Sequence, residues 1–597
     1  MSGLHDTIGR LARLAGGTRG LGLAACAVAV GASAAPALAQ HFNPSKADVA
    51  FNRYYTHSEL NEHVRRIAAA YPELVTLTTI GESGQGREMI VATVRAPGTD
   101  DLDRPAMWIS GNIHGNEVQA SEVVLYTLWL LTKEYGHNQD VTKLLDRVSF
   151  YLLVSENPDG RDNWFETVNN SSTSRHNRNE DDDDRDGLVN EDMPEDLNGD
   201  GSITQMWIRD PNGRFIRDRY DERVFTAVPA GERGEWTSLG QEGLDNDGDG
   251  RVNEDSDDGF DMNRNWPSDW MPNYVQFGAG EYPFSAPETR AIGEFVLAHP
   301  NIGAYQSYHN SGGMILRGPG TAYQTAAYSA SDVAMYQEIQ GIGEQMLPYY
   351  RAMVTYADLY EVHGGETNWA SEGLGAVAFT NEMWAEGKYF QREVNDPSAE
   401  QMWVFRDKLQ FGSTFTAYTE FEHPQYGPVL IGGLNKWASR NTPLFLLEEE
   451  CHRNAAFTLY HASCMAEVVL ERTEVERIGE GVWQVTVQLR NEQPIPSRTG
   501  RQAGRNIGRV DLLTCEPSAG RVVASGRLNN WRDPQVNETR FEPGRVQLNG
   551  GVPGRGVVIH RFFIEAPEGA SVRVRFEAER ANEVEATVRL EEGGEGE

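Results

Sequence analysis

Two periods of apolar residues take turns along residues 42–460. Thr56-His57-Ser58-Glu59 has capping-box spacing and predicts a helix to Ala70, stopped at Tyr71-Pro72. Segments 74–79, 89–94 and 107–110 read as strands, 117–135 as an amphipathic helix, and the unbroken apolar run 148–154 as a buried strand. Ser285-Ala286-Pro287-Glu288 predicts the cap of a helix reaching Ala298. Strands follow at 302–308 and 376–380, and Asn441-Thr442-Pro443 opens a long helix ending near Cys464. Such alternation predicts an α/β fold, a mixed, mostly parallel twisted sheet covered by helices on both faces. Its functional residues are expected outside the carboxyl ends of the strands.

The helical period stops after about Ala466. Segments 468–475, 482–490, 508–513, 520–524, 557–564 and 571–576 are short and alternating, which predicts a C-terminal antiparallel β-sandwich over 465–590. Residues 591–597 are acidic and glycine-rich and are expected to be a disordered tail.

At 597 residues more than one domain is expected. Arg10, Arg13 and Arg19 precede an apolar stretch at 21–30, and Ala37-Leu38-Ala39 offers a small-residue cleavage site. Residues 1–39 therefore read as a signal peptide, and the protein as secreted or periplasmic. Leu23-Ala24-Ala25-Cys26 resembles a lipobox, but almost no apolar segment separates Arg19 from Cys26, so cleavage near Ala39 is preferred over a lipoprotein. No later stretch is long and apolar enough to span a bilayer. Cys451, Cys464 and Cys515 are too few for a disulfide framework, leaving room for one bridge and one thiol.

The net charge of −35 argues against nucleic-acid binding. About half of it sits in an acidic insertion at 179–259, within a domain expected over 40–464. The insertion repeats itself. Asp182-x-Asp184-x-Asp186-Gly187-x-x-Asn190-Glu191-Asp192 matches Asp245-x-Asp247-x-Asp249-Gly250-x-x-Asn253-Glu254-Asp255 position for position, and Asp196-x-Asn198-x-Asp200-Gly201 follows the first. Oxygens at alternate positions around a turn-forming glycine suit calcium. The twelfth positions hold Met193, Ser256 and Trp207, so these are not standard EF-hands. A solvated acidic loop is the alternative.

The chemistry gathers elsewhere. Gly111-Asn112-Ile113-His114-Gly115-Asn116-Glu117 places an imidazole and a carboxylate three positions apart where a strand gives way to a helix, a geometry that can present both to one metal ion. Asn157-Pro158-Asp159-Gly160 follows the strand at 148–154, and Asp261-Met262-Asn263-Arg264-Asn265-Trp266-Pro267 lies beyond the insertion. Ser307-Tyr308-His309 ends a strand. Tyr360, Gly364-Gly365, Trp369 and Phe379-Thr380-Asn381-Glu382-Met383 come after it.

In this order the motifs resemble those of the zinc carboxypeptidases of the carboxypeptidase A type, the M14 metallopeptidases. The resemblance runs through most of residues 45–460. It implies one catalytic zinc held by His114, Glu117 and His309, with a coordination position left open for water. Glu382 is implied as the general base, Asn263 and Arg264 as the grip on a terminal carboxylate, and Tyr360 as the residue that closes over the substrate. An arginine between Asn157 and Asn263 is implied to polarise the scissile carbonyl. Arg178 is preferred there and Arg175 is the runner-up. Thr367, seven past Tyr360, aligns with the pocket floor and favours a neutral or apolar C-terminal residue. Arg317 reverses that preference if it points inward; otherwise it faces solvent or pairs with Glu366. Asn310 and Ser311 depart from the Ser-Tyr of the digestive enzymes.

The expected function is hydrolysis of C-terminal residues from peptides with a free C-terminus. One rival is a zinc amidase of the same family acting on peptidoglycan stem peptides or N-acyl amino acids. Another is a non-catalytic, calcium-dependent surface binding protein, against which the joint presence of His114, Glu117, His309 and Glu382 argues. Nothing in the sequence indicates the oligomeric state.

Overall fold

The first helix starts where its cap says it should. In this computed structural model, which describes residues 44–100, 102–178, 192–246, 248, 250–253, 255, 259–389 and 399–591, Thr56 and Glu59 form the reciprocal capping box of α1, His57–Ala70. Leu60, Val64 and Ile67 form its buried stripe. The signal-peptide segment 1–39 and residues 592–597 of the expected tail lie outside the described residues, as do Asp182, Asp184, Asp186, Asp247 and Asp249.

An eight-stranded sheet forms the centre of the N-terminal half. Its strands are β1 Val75–Glu82, β2 Glu88–Val94, β3 Ala106–Gly111, β4 Ser149–Leu153, β5 Ile302–Asn310, β6 Met314–Arg317, β7 Arg351–Val354 and β8 Val377–Met383. The spatial order is β1-β2-β4-β3-β5-β8-β6-β7. Pairing is parallel from β4 through β3 and β5 to β8, antiparallel across β1, β2 and β4 and between β8 and β6, and parallel again between β6 and β7. The further helices are α2 Gln119–Glu134, α3 Gln139–Arg147, α4 Pro158–Glu166, α5 Pro287–Ala298, α6 Ala330–Met346 and α7 Leu447–Ser463.

Every residue of β3, β4 and β5 is buried, which explains the apolar runs 106–109 and 150–153. Successive side chains of one strand enter opposite cores. Met107, Ile109, Phe150 and Leu152 join the cluster under α1, α2 and α7, whereas Trp108, Tyr151 and Leu153 join Ile292, Phe295 and Val296 of α5. The sheet is thus mixed and covered on both faces.

Some sequence expectations need correction. The N-cap of α5 is Ala286, without a side-chain cap, and Ser285 instead accepts a hydrogen bond from Asn265 Nδ2 at 2.8 Å. After Pro443 a short 3-10 turn, Leu444–Leu446, precedes α7. Helix α6 escapes the sequence reading because Gly341 and Gly343 look like breakers. Gly343 is a packing residue: a Cβ there would lie 2.6 Å from Ile315 Cδ1. Cys451, Cys464 and Cys515 are all free, so the bridge for which the sequence left room is not formed among them.

The insertion contains strands as well as acidic loops. Gln205–Arg209, Phe215–Arg217, Phe225–Ala227 and Trp236–Gln241 join the hairpin Phe415–His423 and Gly427–Leu434 in a six-stranded sheet. Beyond α7, a five-stranded and a four-stranded antiparallel sheet face each other. Val485, Val487, Phe562 and Ile564 from one meet Leu513, Val572, Val574 and Phe576 from the other in a shared core. Residues Ser45–Glu597 form one compact unit. Among the described residues no helix is long and apolar enough to cross a membrane.

Candidate active site

Three strand ends build the site. β3 ends at Gly111, β5 carries His309 near its end, and β8 carries Glu382. Gly111 pairs in register with Tyr308, and Glu382 with His309, so these two side chains stand on neighbouring strands.

The turn between β3 and α2 is held by Asn112, whose φ of 65° lies in the left-handed region that asparagine tolerates better than most residues. Its Nδ2 donates to the carbonyls of His114 at 2.7 Å and Gly115 at 3.2 Å, and its Oδ1 accepts from the buried Arg161. Gly115 is required by close approach. A Cβ there would fall 2.4 Å from both the Gly160 carbonyl carbon and the Ser174 oxygen. The two glycine-bearing motifs are therefore packed backbone to backbone. Asn157 caps α4 and donates to the His176 carbonyl at 2.7 Å, and Gly115 N–H donates to the Arg175 carbonyl at 2.9 Å. These bonds seat segment 174–176 against the turn that carries His114 and Glu117.

Both imidazoles aim Nδ1 at one point. His114 Nδ1 lies 2.9 Å from Glu117 Oε1, His309 Nδ1 lies 3.0 Å from Glu117 Oε2, and the two Nδ1 atoms are 3.2 Å apart. The three ligand atoms lie within 4.8 Å of one another, the sole cluster of this kind among the described residues. Two ring nitrogens brought this close beside a buried carboxylate fit a shared cation, and His₂Glu with an open position is a zinc donor set. Asp261 Oδ1 holds His114 Nε2 at 3.1 Å, fixing the ring with Nδ1 inward. Burial alone would raise the Asp261 carboxyl, but Arg264, His114 and Arg175 outweigh it and hold it well below the usual carboxylate range.

The remaining groups line one narrow cleft of about 50 Å³, Arg175, Asn263, Arg264, Tyr360, Thr367 and Glu382, together with His114. Burial, and then the Glu117 carboxylate, push Glu382 up to about 7 against the pull of His309, Arg175 and Arg440. A divalent cation at the His114–Glu117–His309 cluster acts in the opposite sense. Asn263 Oδ1 accepts from Glu366 N at 2.9 Å, and Tyr360 is 51% exposed at the cleft mouth. The Thr367 hydroxyl meets that of Thr380.

The preferred arginine changes, and the open alternative at Arg317 closes. Arg175, the runner-up, lines the cleft, with Nη1 3.0 Å from Glu117 and Nη2 3.7 Å from Asp261; Arg178 is not among the lining residues. Arg317 turns away from the cleft. It donates to Gln340 Oε1 at 3.1 Å and the Gly318 carbonyl at 2.9 Å, while Glu366 accepts from Tyr305 at 2.5 Å and Ser307 at 2.8 Å. Nothing charged therefore enters the pocket from that strand.

Of the aspartate loops, Asp196 accepts from the amides of Gly199, Asp200 and Gly201, and Asp245 from those of Gly248 and Gly250. Asn198 donates to Asp200. The corresponding eleventh residues of the two long repeats pair, Asp192 N donating to Asp255 Oδ2 at 3.2 Å.

Sequence reasoning missed Asp261, although it opens the motif that supplied Asn263 and Arg264. It also missed Arg440, for which no local signal exists. Arg440 donates to the carbonyls of Ser171 at 2.9 Å and Asn310 at 3.0 Å, and its Nη1 is 3.5 Å from Glu117.

A family model described as zinc carboxypeptidase matches residues 60–207 and 231–405, the interruption falling inside the insertion. A domain of unknown function (DUF8731) matches residues 467–589. Carboxypeptidase D of Mus musculus is 32% identical over 152 residues, which are 25% of this chain and 11% of that protein. The chain thus spans about a tenth of the length of that relative. Carboxypeptidase A4 of Mus musculus is 21% identical over 368 residues, 60% of this chain and 69% of its own. The crystal structure of carboxypeptidase A from Helicoverpa armigera superimposes with a TM-score of 0.38 at 18% identity, covering 58% of this chain and 68% of that one.

Proposed function

Because this chain belongs to the zinc carboxypeptidase family, we propose that it is a metallocarboxypeptidase that removes C-terminal residues from peptides. The observation that carries the reading is the convergence of His114, Glu117 and His309 beside a half-buried Glu382, in a cleft that Asn263 and Arg264 also line. When bound, zinc supplies Lewis acidity toward a water molecule and the scissile carbonyl. The chain's own residues do the rest. Arg264 and Asn263 grip the terminal carboxylate, the former through a bidentate pair that sets the register of the scissile bond. Glu382 takes a proton from the attacking water and passes it to the leaving amine. Arg175 donates to the carbonyl oxygen as negative charge develops there. Tyr360, half exposed at the mouth, closes over the bound residue and excludes water. Thr367 and Thr380, both neutral, favour an uncharged C-terminal side chain.

The test is release of amino acids from a library of free-carboxylate peptides, with and without zinc chelation. Glu382→Gln should lower kcat by at least about 10²-fold with zinc retained at full occupancy. Loss of the metal in that variant would assign Glu382 to binding. A zinc-loaded protein that releases nothing from any peptide, but cleaves stem peptides or N-acyl amino acids, would transfer the reading to an amidase.

Two further proposals accompany this one. The Arg-led apolar segment and Ala37-Leu38-Ala39 support export to the periplasm or medium. The repeated aspartate pattern supports calcium as a structural ion of the insertion.

A further inference from the structure

The floor of the cleft is the start of a short helix, 366–373, built as Glu366–Asn368 followed by the wider turn Trp369–Gly373. Glu366 N–H donates to Asn263 Oδ1 at 2.9 Å, and Thr367 and Asn368 line the cleft. The helix is therefore joined at its beginning to the carboxylate grip. Its end poses the usual difficulty of a buried C-terminus, carbonyls with no amide one turn ahead. The carbonyls of Trp369, Ala370 and Ser371 are met by the amides of Leu374, Ala376 and Gly375. Those of Glu372, Leu374 and Gly375 are met from the other half of the molecule. Arg501 Nε donates to Glu372 O at 2.6 Å, Arg580 Nη1 to Leu374 O at 3.0 Å, and Thr499 Oγ1 to Gly375 O at 2.9 Å.

These donors all belong to the C-terminal half. Arg580 precedes the last strand of the sandwich, Val584–Arg589, and is 8% exposed; its Nε also donates to Pro300 O at 3.0 Å. Thr499 caps, and Arg501 lies in, the short helix Gly500–Arg505, whose first amide donates to Asp332 in the first turn of α6. The fit leaves no room for a side chain at Gly375. Its φ is +68°, and a Cβ would lie 2.5 Å from Gln502 Cγ. Two guanidinium groups at a helix C-terminus also oppose the partial negative charge gathered there.

We propose that the C-terminal β-sandwich is a positioning element of the substrate pocket, holding the end of helix 366–373 so that Thr367 and Asn368 keep a fixed distance from Arg264. Arg501, Arg580 and Thr499 are its positioning residues. Its consequence for catalysis rests on the carboxypeptidase reading; the mechanical coupling does not. Loss of the donors leaves buried carbonyls unpaired and frees the helix end, and small displacements of substrate-positioning groups are felt strongly in binding and turnover.

The experiment uses the full chain with Arg501→Met and Arg580→Met, singly, and Arg501→Lys as the conservative variant. Amide hydrogen exchange over residues 369–378 should accelerate about tenfold or more in the Met variants and recover in part with Lys. On peptides that differ only in their last residue, KM should rise about 5- to 20-fold with kcat little changed, and discrimination among those residues should narrow. Unchanged exchange at 369–378 overturns the proposal, as does faster exchange with KM and discrimination intact. Should Arg580→Met not fold, Thr499→Val removes one bond at the edge and carries the same readouts. If the unaltered protein cleaves no peptide, the carboxypeptidase reading fails, and the exchange comparison still decides whether the sandwich holds the helix.

Discussion

The sequence reading placed Arg178 ahead of Arg175, and what separates them in the structure is one backbone contact. The Arg175 carbonyl accepts from the amide of Gly115, a residue reduced to glycine by the approach of Gly160 and Ser174. That contact aims the Arg175 side chain at Glu117 and Asp261. Arg175→Met should lower kcat/KM by about 10²- to 10³-fold, chiefly through kcat. Arg178→Met should change it by less than about threefold. Steady-state kinetics on one good peptide separate the two, and the reverse ranking would return the role to Arg178. His114, Glu117, His309 and Glu382 could be singled out from residue type and order, because few side chains suit zinc or a general base, and the structure brings them together. Asp261 and Arg440 were not, because a carboxylate or guanidinium that orients another side chain has no spacing rule of its own.

Elements with a strong local signal follow the sequence closely. The capped helix α1 and the largely apolar, wholly buried strands β3 and β4 are examples. Elements that depend on distant partners were missed. The insertion strands pair with a hairpin some two hundred residues later, and α6 contains a glycine demanded by Ile315 and Phe457. Helix α7 carries a consequence for stability. His461 is fully buried, its ring 4.9 Å from that of Phe379, and burial pushes its pKa from 6.5 down to about 3. Between these values the unfolded chain binds the proton and the folded chain does not. This residue's contribution is therefore fully present above about pH 6.5 and is lost progressively as the pH falls toward 3. Other buried groups titrate in the same range, so the comparison is differential. His461→Leu should lose less denaturant stability between about pH 7 and pH 4 than the unaltered protein. Parallel losses would show that the histidine is not held neutral.

At the scale of the whole molecule, the negative charge and the insertion belong to one question. The formal charge is −35, and like charges at this density repel unless an ion or solvent relieves them. If calcium occupies the aspartate loops, a calcium-selective chelator should lower the melting temperature by a few degrees while zinc and peptidase activity at low temperature persist. An unchanged melting curve would leave the loops as solvated acid. The sandwich bears on the same scale, since its arginines complete a helix of the catalytic half. The sequence by itself determined the elements with a strong local period, the two-layer C-terminal architecture and the residue types suited to holding zinc and moving a proton. These follow from periodicity and from the few side chains able to do that chemistry. Only the tertiary structure decided which arginine enters the cleft, that Arg317 leaves it, that the insertion completes a second sheet, and that the sandwich caps the pocket helix. Each of those depends on backbone groups far apart in the chain being brought within hydrogen-bonding distance, and no local pattern encodes that distance.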